Sequence, residues 1–138
     1  MNLMVSIGIM LTFSLLAVPY YQKYQPNLEL SATARDLTTD LRYAQQLNIN
    51  EQITHIVEFN LLENKYEILK LDTTTSTIKS VNLVPGIDFE QLTGLSNGNQ
   101  VRFNSYGGVS DAGTITLINS NNKTAIVDIK PSGYINLQ

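Results

Sequence analysis

The sequence predicts an α+β domain in which one long, kinked N-terminal helix, apolar and then amphipathic, packs on antiparallel β-sheet. Three observations carry that expectation. No side chain among the first 22 residues is charged. From residue 30 apolar side chains recur at helical spacing, and from residue 53 onward the apolar period is two. A helix with one apolar stripe must bury it, and a sheet with one apolar face supplies the complementary surface.

The apolar lead comes first. Residues 3–21 are interrupted only by Ser6, Gly8, Thr12, Ser14 and Pro19. As a helix this stretch spans roughly 28 Å, against a hydrocarbon core of about 30 Å, so it is expected to cross a membrane. A cleaved secretory signal would start with basic residues and end at small ones. Here no basic residue precedes the apolar stretch, and Pro19, Tyr20 and Tyr21 close it. Tyr20, Tyr21, Lys23 and Tyr24 read as an interfacial belt of aromatic rings and a snorkelling amine. The expected organisation is a membrane-spanning half of the helix over residues 1–26 and a globular domain over residues 27–138.

The helical pattern resumes after Pro26. Leu30, Ala34, Leu37, Leu41, Ala44 and Leu47 fall at spacings of four and three, while Arg35, Asp36, Thr39, Asp40, Arg42 and Gln46 lie mostly off that stripe. The helix is expected to end near residues 48–50. Pro19 and Pro26 each remove an intrahelical hydrogen bond, which predicts a kink or local unwinding between the two halves.

Strands follow. Ile53, His55, Val57 and Phe59 alternate with Thr54, Ile56 and Glu58, and a turn over residues 60–65 leads to a second run over 66–71. Residues 73–77 read as a turn, 78–84 as a third strand ended by Pro85 and Gly86, and Ile87 and Phe89 as a short extended stretch. Runs over 100–105, 114–119, 124–130 and 134–137 form an antiparallel meander with Val101, Phe103, Ile115, Leu117, Ala125, Val127, Ile129, Ile135 and Leu137 facing inward.

Composition narrows the function. The 138 residues include 9 basic and 12 acidic side chains, one histidine and no cysteine, with a pI near 5.0. The net charge of −3 supplies no positive field for nucleic acid. Zero cysteines exclude disulfides, thiolate chemistry and cysteine-ligated zinc. The composition points away from an enzyme.

The motifs resemble those of the type IV pilin-like superfamily, and within it the GspH/FimT group of minor pilins and pseudopilins. Residues 3–10 followed by Ala17, Val18 and Pro19 are similar to the apolar first half of the pilin helix. Residues 34–37 and 40–45 resemble the group's "A..L..DLR.A" stretch. Residues 101–104, Gly107, residues 113–117, residues 127–129 and Gly133 resemble its C-terminal strands. The resemblance implies a filament subunit of a type IV pilus, competence or type II secretion apparatus, anchored in the cytoplasmic membrane before assembly, with its globular domain outside the cytoplasm. It implies other pilin or pseudopilin subunits and the assembly machinery as partners, and no cofactor. On this reading Leu3, Val5, Ile7, Gly8, Ile9, Leu11, Leu15, Leu16, Val18 and Pro19 form the membrane and filament-packing surface. Leu30, Ala34, Leu37, Leu41 and Ala44 form the helix–sheet core. Family precursors carry a glycine-ended leader, cut and methylated by a prepilin peptidase, and a glutamate five residues into the mature chain. Counting back from Pro19 sets that place at Asn2. Some FimT-like proteins bind DNA through basic residues after the final glycine, whereas Tyr134, Ile135 and Asn136 follow Gly133.

Other candidate sites have ordinary readings. His55 falls on the apolar face of its strand, as a core histidine bonded to backbone does. Asp111 between glycines suits a turn better than calcium, since Asp88 and Asp128 show no ligand spacing. Gly107 and Gly108 lack the strand and helix context of a phosphate loop. Lys79, Arg102, Lys123 and Lys130 form at most a small basic patch for DNA. A membrane-anchored binding module for DNA or a secreted protein is the alternative function.

Overall fold

Helix α1 (Asn2–Glu51) is followed by eight strands: β1 (Thr54–Asn60), β2 (Lys65–Leu71), β3 (Thr75–Asn82), β4 (Ile87–Thr93), β5 (Gln100–Arg102), β6 (Gly113–Asn119), β7 (Thr124–Ile129) and β8 (Ile135–Leu137). The computed structural model describes the backbone of residues 2–95, 99–110 and 112–138, and the side chains of 4–14, 24–95, 99–110 and 112–138. The architecture is α+β, as the two periodicities dictate.

The helix runs unbroken through Pro19 and Pro26. Local unwinding at these prolines does not occur, because each removes a single ladder bond while the turns on either side keep theirs. The end is set by Gln52, which takes a left-handed conformation (φ 54°) and donates its N–H to Asn48 O at 3.1 Å. That is an αL cap.

The strands divide into two antiparallel sheets, ordered β3-β2-β1-β5 and β4-β6-β7-β8, rather than one. β5 returns to pair with β1 through Ile56↔Arg102 and Val57↔Val101, whereas β4 pairs with β6. Period two sets which residues share a face and leaves the partners open. β3 begins at Thr75, inside residues read as a turn, since the threonines there suit an extended edge strand. A register shift between Ile68 and Leu69 accommodates it.

One apolar cluster joins helix and sheets. Leu30, Ala34, Leu37, Leu41 and Ala44 are buried against Val57, Phe59, Ile115, Leu117, Val127 and Ile129. Val101, Phe103, Ala125 and Ile135 are also buried, and Leu137 is partly so. Phe59 of β1 meets Phe89 of β4 edge to face, with ring centres 5.6 Å apart, and so links the two sheets. Ile56 and Leu69 are cross-strand partners that shield each other outside this cluster.

Candidate assembly surface

Along α1 the environment changes while the secondary structure does not. Met4, Val5, Ile7, Ile9, Met10, Leu11 and Phe13 are all exposed, Leu11 at 59% and Phe13 at 71%. Leu30 is 4% exposed and Leu37 fully buried. The first half thus presents apolar side chains that no other part of the described chain covers. Burying these seven side chains would contribute roughly 10–20 kcal/mol before any costs of association. Gly8 interrupts this surface with open space, for a Cβ placed there would meet nothing within 4 Å. Thr12 Oγ1 donates back to Gly8 O at 2.6 Å, which satisfies the hydroxyl within the helix. Leu3, Leu15, Leu16, Val18 and Pro19, with Tyr20, Tyr21 and Lys23, have side chains outside the described residues. Tyr24 is exposed. Among the described residues no helix is long and apolar enough to cross a membrane. The described side chains of this half run from Met4 to Ser14, which spans only about 16 Å of helix.

The second half is clamped to the sheets by polar contacts as well as by its stripe. Asp40 is 7% exposed; Tyr66 Oη of β2 donates to its carboxylate at 2.7 Å and Lys79 Nζ of β3 approaches it at 2.6 Å. Burial, then the hydrogen bond to Asp40, pushes the Tyr66 phenol far above its usual range. Arg42 donates to Ile135 O at 3.1 Å. Gln45 Nε2 donates to Gly107 O at 2.6 Å and Gly133 O at 3.0 Å. Gly133 has a φ of 82°, and a Cβ there would lie 1.9 Å from Gly107 O, so glycine is required where the two loops cross under Gln45. Asn48 donates to Phe103 O and accepts from His55 N at 2.9 Å. Lys70 pairs with Glu51 at 2.7 Å, which lowers the Glu51 carboxyl and raises the Lys70 amine. The last three turns of α1, from Asp40 to Glu51, are therefore fixed to strands or loops from both sheets.

The remaining candidates fall into place as structure. His55 is fully buried, with Nδ1 2.8 Å from Ile53 O and Nε2 3.6 Å from Glu51 Oε2 without a hydrogen bond. Among the described residues no His, Cys, Asp and Glu side chains gather into a metal-binding group. Asp111 lies outside the described residues. The small basic patch separates: Lys79 pairs with Asp40 and Lys130 with Asp128 at 2.7 Å, while Arg102 is on β5 and Lys123 precedes β7 in the other sheet. Asp40 and Asn48 were missed as buried positions. Both sit three or four residues from Leu37, Leu41 or Ala44, so the helical spacing itself was the available signal.

The family model described as "Type II transport protein GspH" matches residues 33–133, most of the chain. The chain belongs to the GspH family. The family match begins at Thr33, so it covers the clamped half of α1 and nearly all strands and leaves the exposed apolar arm before it. Among solved structures, this GspH-family chain is similar to the minor pseudopilin EpsH of the Vibrio cholerae type 2 secretion system. The identity is 14% and the TM-score 0.69, over 80% of this chain and 96% of that one. It is also similar to the type IV minor pilin FimU of Pseudomonas aeruginosa, at 13% identity and a TM-score of 0.67 over 83% and 92% of the two chains. At such identities the likeness establishes a shared pilin-type fold. No curated protein sequence matches the chain significantly.

Proposed function

We propose that this GspH-family chain is a non-enzymatic filament subunit, a minor pilin or pseudopilin of a type IV pilus, competence or type II secretion apparatus. The observation that carries this reading is the exposed apolar arm, Met4 to Phe13, continuous with a helix that is clamped to a folded domain. An apolar surface of this size calls for a partner. In a bilayer a helix satisfies its own backbone groups, so residues 1–26 hold the chain in the cytoplasmic membrane, with residues 27–138 on the outer side. In a filament the same side chains pack against the arms of other subunits. Extraction then exchanges lipid contacts for protein contacts, and the family's assembly machinery supplies the work. Gly8 with Ser6 and Ser14 lets neighbouring helices approach closely.

Leu11→Asp and Gly8→Asp test this in cells that make the filament. A subunit should drop out of sheared or cross-linked filaments while its domain still folds. A membrane-anchored binding module would lose membrane retention and leave filament composition unchanged, and that result would sink the proposal.

A further inference from the structure

Two grooves adjoin along the outer side of α1, of ≈ 350 Å³ and ≈ 440 Å³, and they meet at Arg35 and Leu137. Together they follow α1 from Asn27 to Arg42, about 22 Å of helix. Two independent features converge there. The first is charge. Lys65, Lys70, Lys79 and Lys130 are each paired with a carboxylate, whereas Arg35, Arg42, Arg102 and Lys123 have no carboxylate partner among the described residues. Three of those four line this groove, and among the described residues no Asp or Glu side chain does.

The second is backbone. β8 is the edge of its sheet. Ile126 and Gln138 exchange both hydrogen bonds, at 3.0 and 2.8 Å, and Lys130 N–H donates to Tyr134 O at 2.9 Å. Antiparallel alternation then directs the N–H and C=O of Ile135 and Leu137 away from β7, along the open edge. One of these groups, Ile135 O, is held by Arg42. The others have no hydrogen-bond partner among the described residues.

We infer that this groove receives an extended acidic segment of another polypeptide, added as a strand to β8, with its carboxylates against Arg35, Arg42 and Lys123. Strand addition uses donors and acceptors alternately, which the edge of β8 offers. Nucleic-acid phosphates would satisfy the cations but donate nothing to Leu137 O, so a peptide fits both features and a phosphate polymer only one. Arg35 and Arg42 stand two turns apart, about 10 Å, the length of three extended residues. Arg42 both guards the edge in the free protein and receives a carboxylate when the segment arrives.

The test is fluorescence anisotropy with the full chain in a non-ionic detergent and a dye-labelled Glu-Val-Glu-Val-Glu peptide. Binding should weaken about tenfold with the Gln-Val-Gln-Val-Gln analogue, and similarly with the Arg35→Ala/Arg42→Ala protein, as expected for loss of a few partly exposed charge pairs. A Glu peptide N-methylated at alternate residues keeps its charge and loses strand donors, and it should also bind about tenfold more weakly. The proposal is overturned if the acidic peptide does not bind, if the methylated peptide binds equally well, or if a ten-nucleotide thymidine oligomer displaces the peptide at equal concentration. Both arginines lie at the surface, and circular dichroism of the double variant should match the parent.

Discussion

The two halves of α1 share a backbone conformation and differ in what covers them. Leu30 to Ala44 is buried by the chain's own sheets, and Met4 to Phe13 is covered by nothing in the described chain. The clamped half shows side chains chosen by position: a stripe inward, Asp40 and Gln45 at points where strands or loops need a partner, arginines outward. The arm carries no charge and exposes apolar side chains interrupted by Ser6, Gly8, Thr12 and Ser14. Intramolecular packing accounts for the clamped half and, among the described residues, leaves the arm uncovered, and an exposed apolar surface of this size is what the proposed assembly would bury.

The same substitution in each half breaks the comparison most severely. Leu37→Asp sets an unpaired carboxylate in a fully buried site, at a cost of about 4 kcal/mol or more, comparable to the whole stability of a small domain. Cooperative urea unfolding followed by the sheet circular dichroism signal should be lost or shifted to very low denaturant. Leu11→Asp should move that midpoint by no more than about 0.5 kcal/mol, since the site touches no core. Equal effects at the two positions would show that the arm folds back on the domain.

Glycine offers a second contrast. Gly133→Ala sets a Cβ 1.9 Å from Gly107 O at a φ of 82°, with Gln45 Nε2 only 2.4 Å away. The two loops must separate, and we expect a loss of about 2–3 kcal/mol in the same unfolding measurement. Gly8→Ala meets open space and should increase helicity of the arm, by about 1 kcal/mol of propensity, with the unfolding midpoint of the domain unchanged.

How far these contrasts were legible in sequence depends on the range of the interactions. The stripe from Leu30 to Ala44 and the alternation in β6 and β7 are local, so spacing alone identified them. Asp40 lies off the apolar stripe, and nothing local marks it as a buried acceptor because its partners, Tyr66 and Lys79, lie 26 and 39 positions away. Helical geometry nonetheless sets it between Leu37 and Ala44 on the buried arc. The pairing of β5 with β1 was equally hidden, since Val101 and Val57 are brought together by topology and not by pattern. Charge was the least legible. Lys65 and Lys130 pair with carboxylates two positions away, but Lys70 and Lys79 find Glu51 and Asp40 only through the fold, and the whole set of pairings is what leaves Arg35, Arg42 and Lys123 together on one groove.

Within the clamped half, the contact at Asp40 has a smaller expected effect than Leu37→Asp or Gly133→Ala, and it is resolved by pH. In the unfolded chain Tyr66 ionises near pH 10, as tyrosines do. In the folded chain burial and the Asp40 carboxylate hold the phenol protonated well beyond that. A group whose folded pKa is raised contributes stability that is fully present below the unfolded value and is lost as pH rises above it, because the unfolded chain then releases a proton the folded one keeps. Tyr66→Phe should cost about 1–2 kcal/mol at pH 7, the hydrogen bond to Asp40. Between pH 9 and 11, however, its stability should fall less steeply than the parent's. The other ionisable groups are the same in both proteins and largely cancel in the difference. Parallel stability curves for the two proteins across that range would mean that the Tyr66 hydroxyl is open to water and that the Tyr66–Asp40 contact is no part of the clamp.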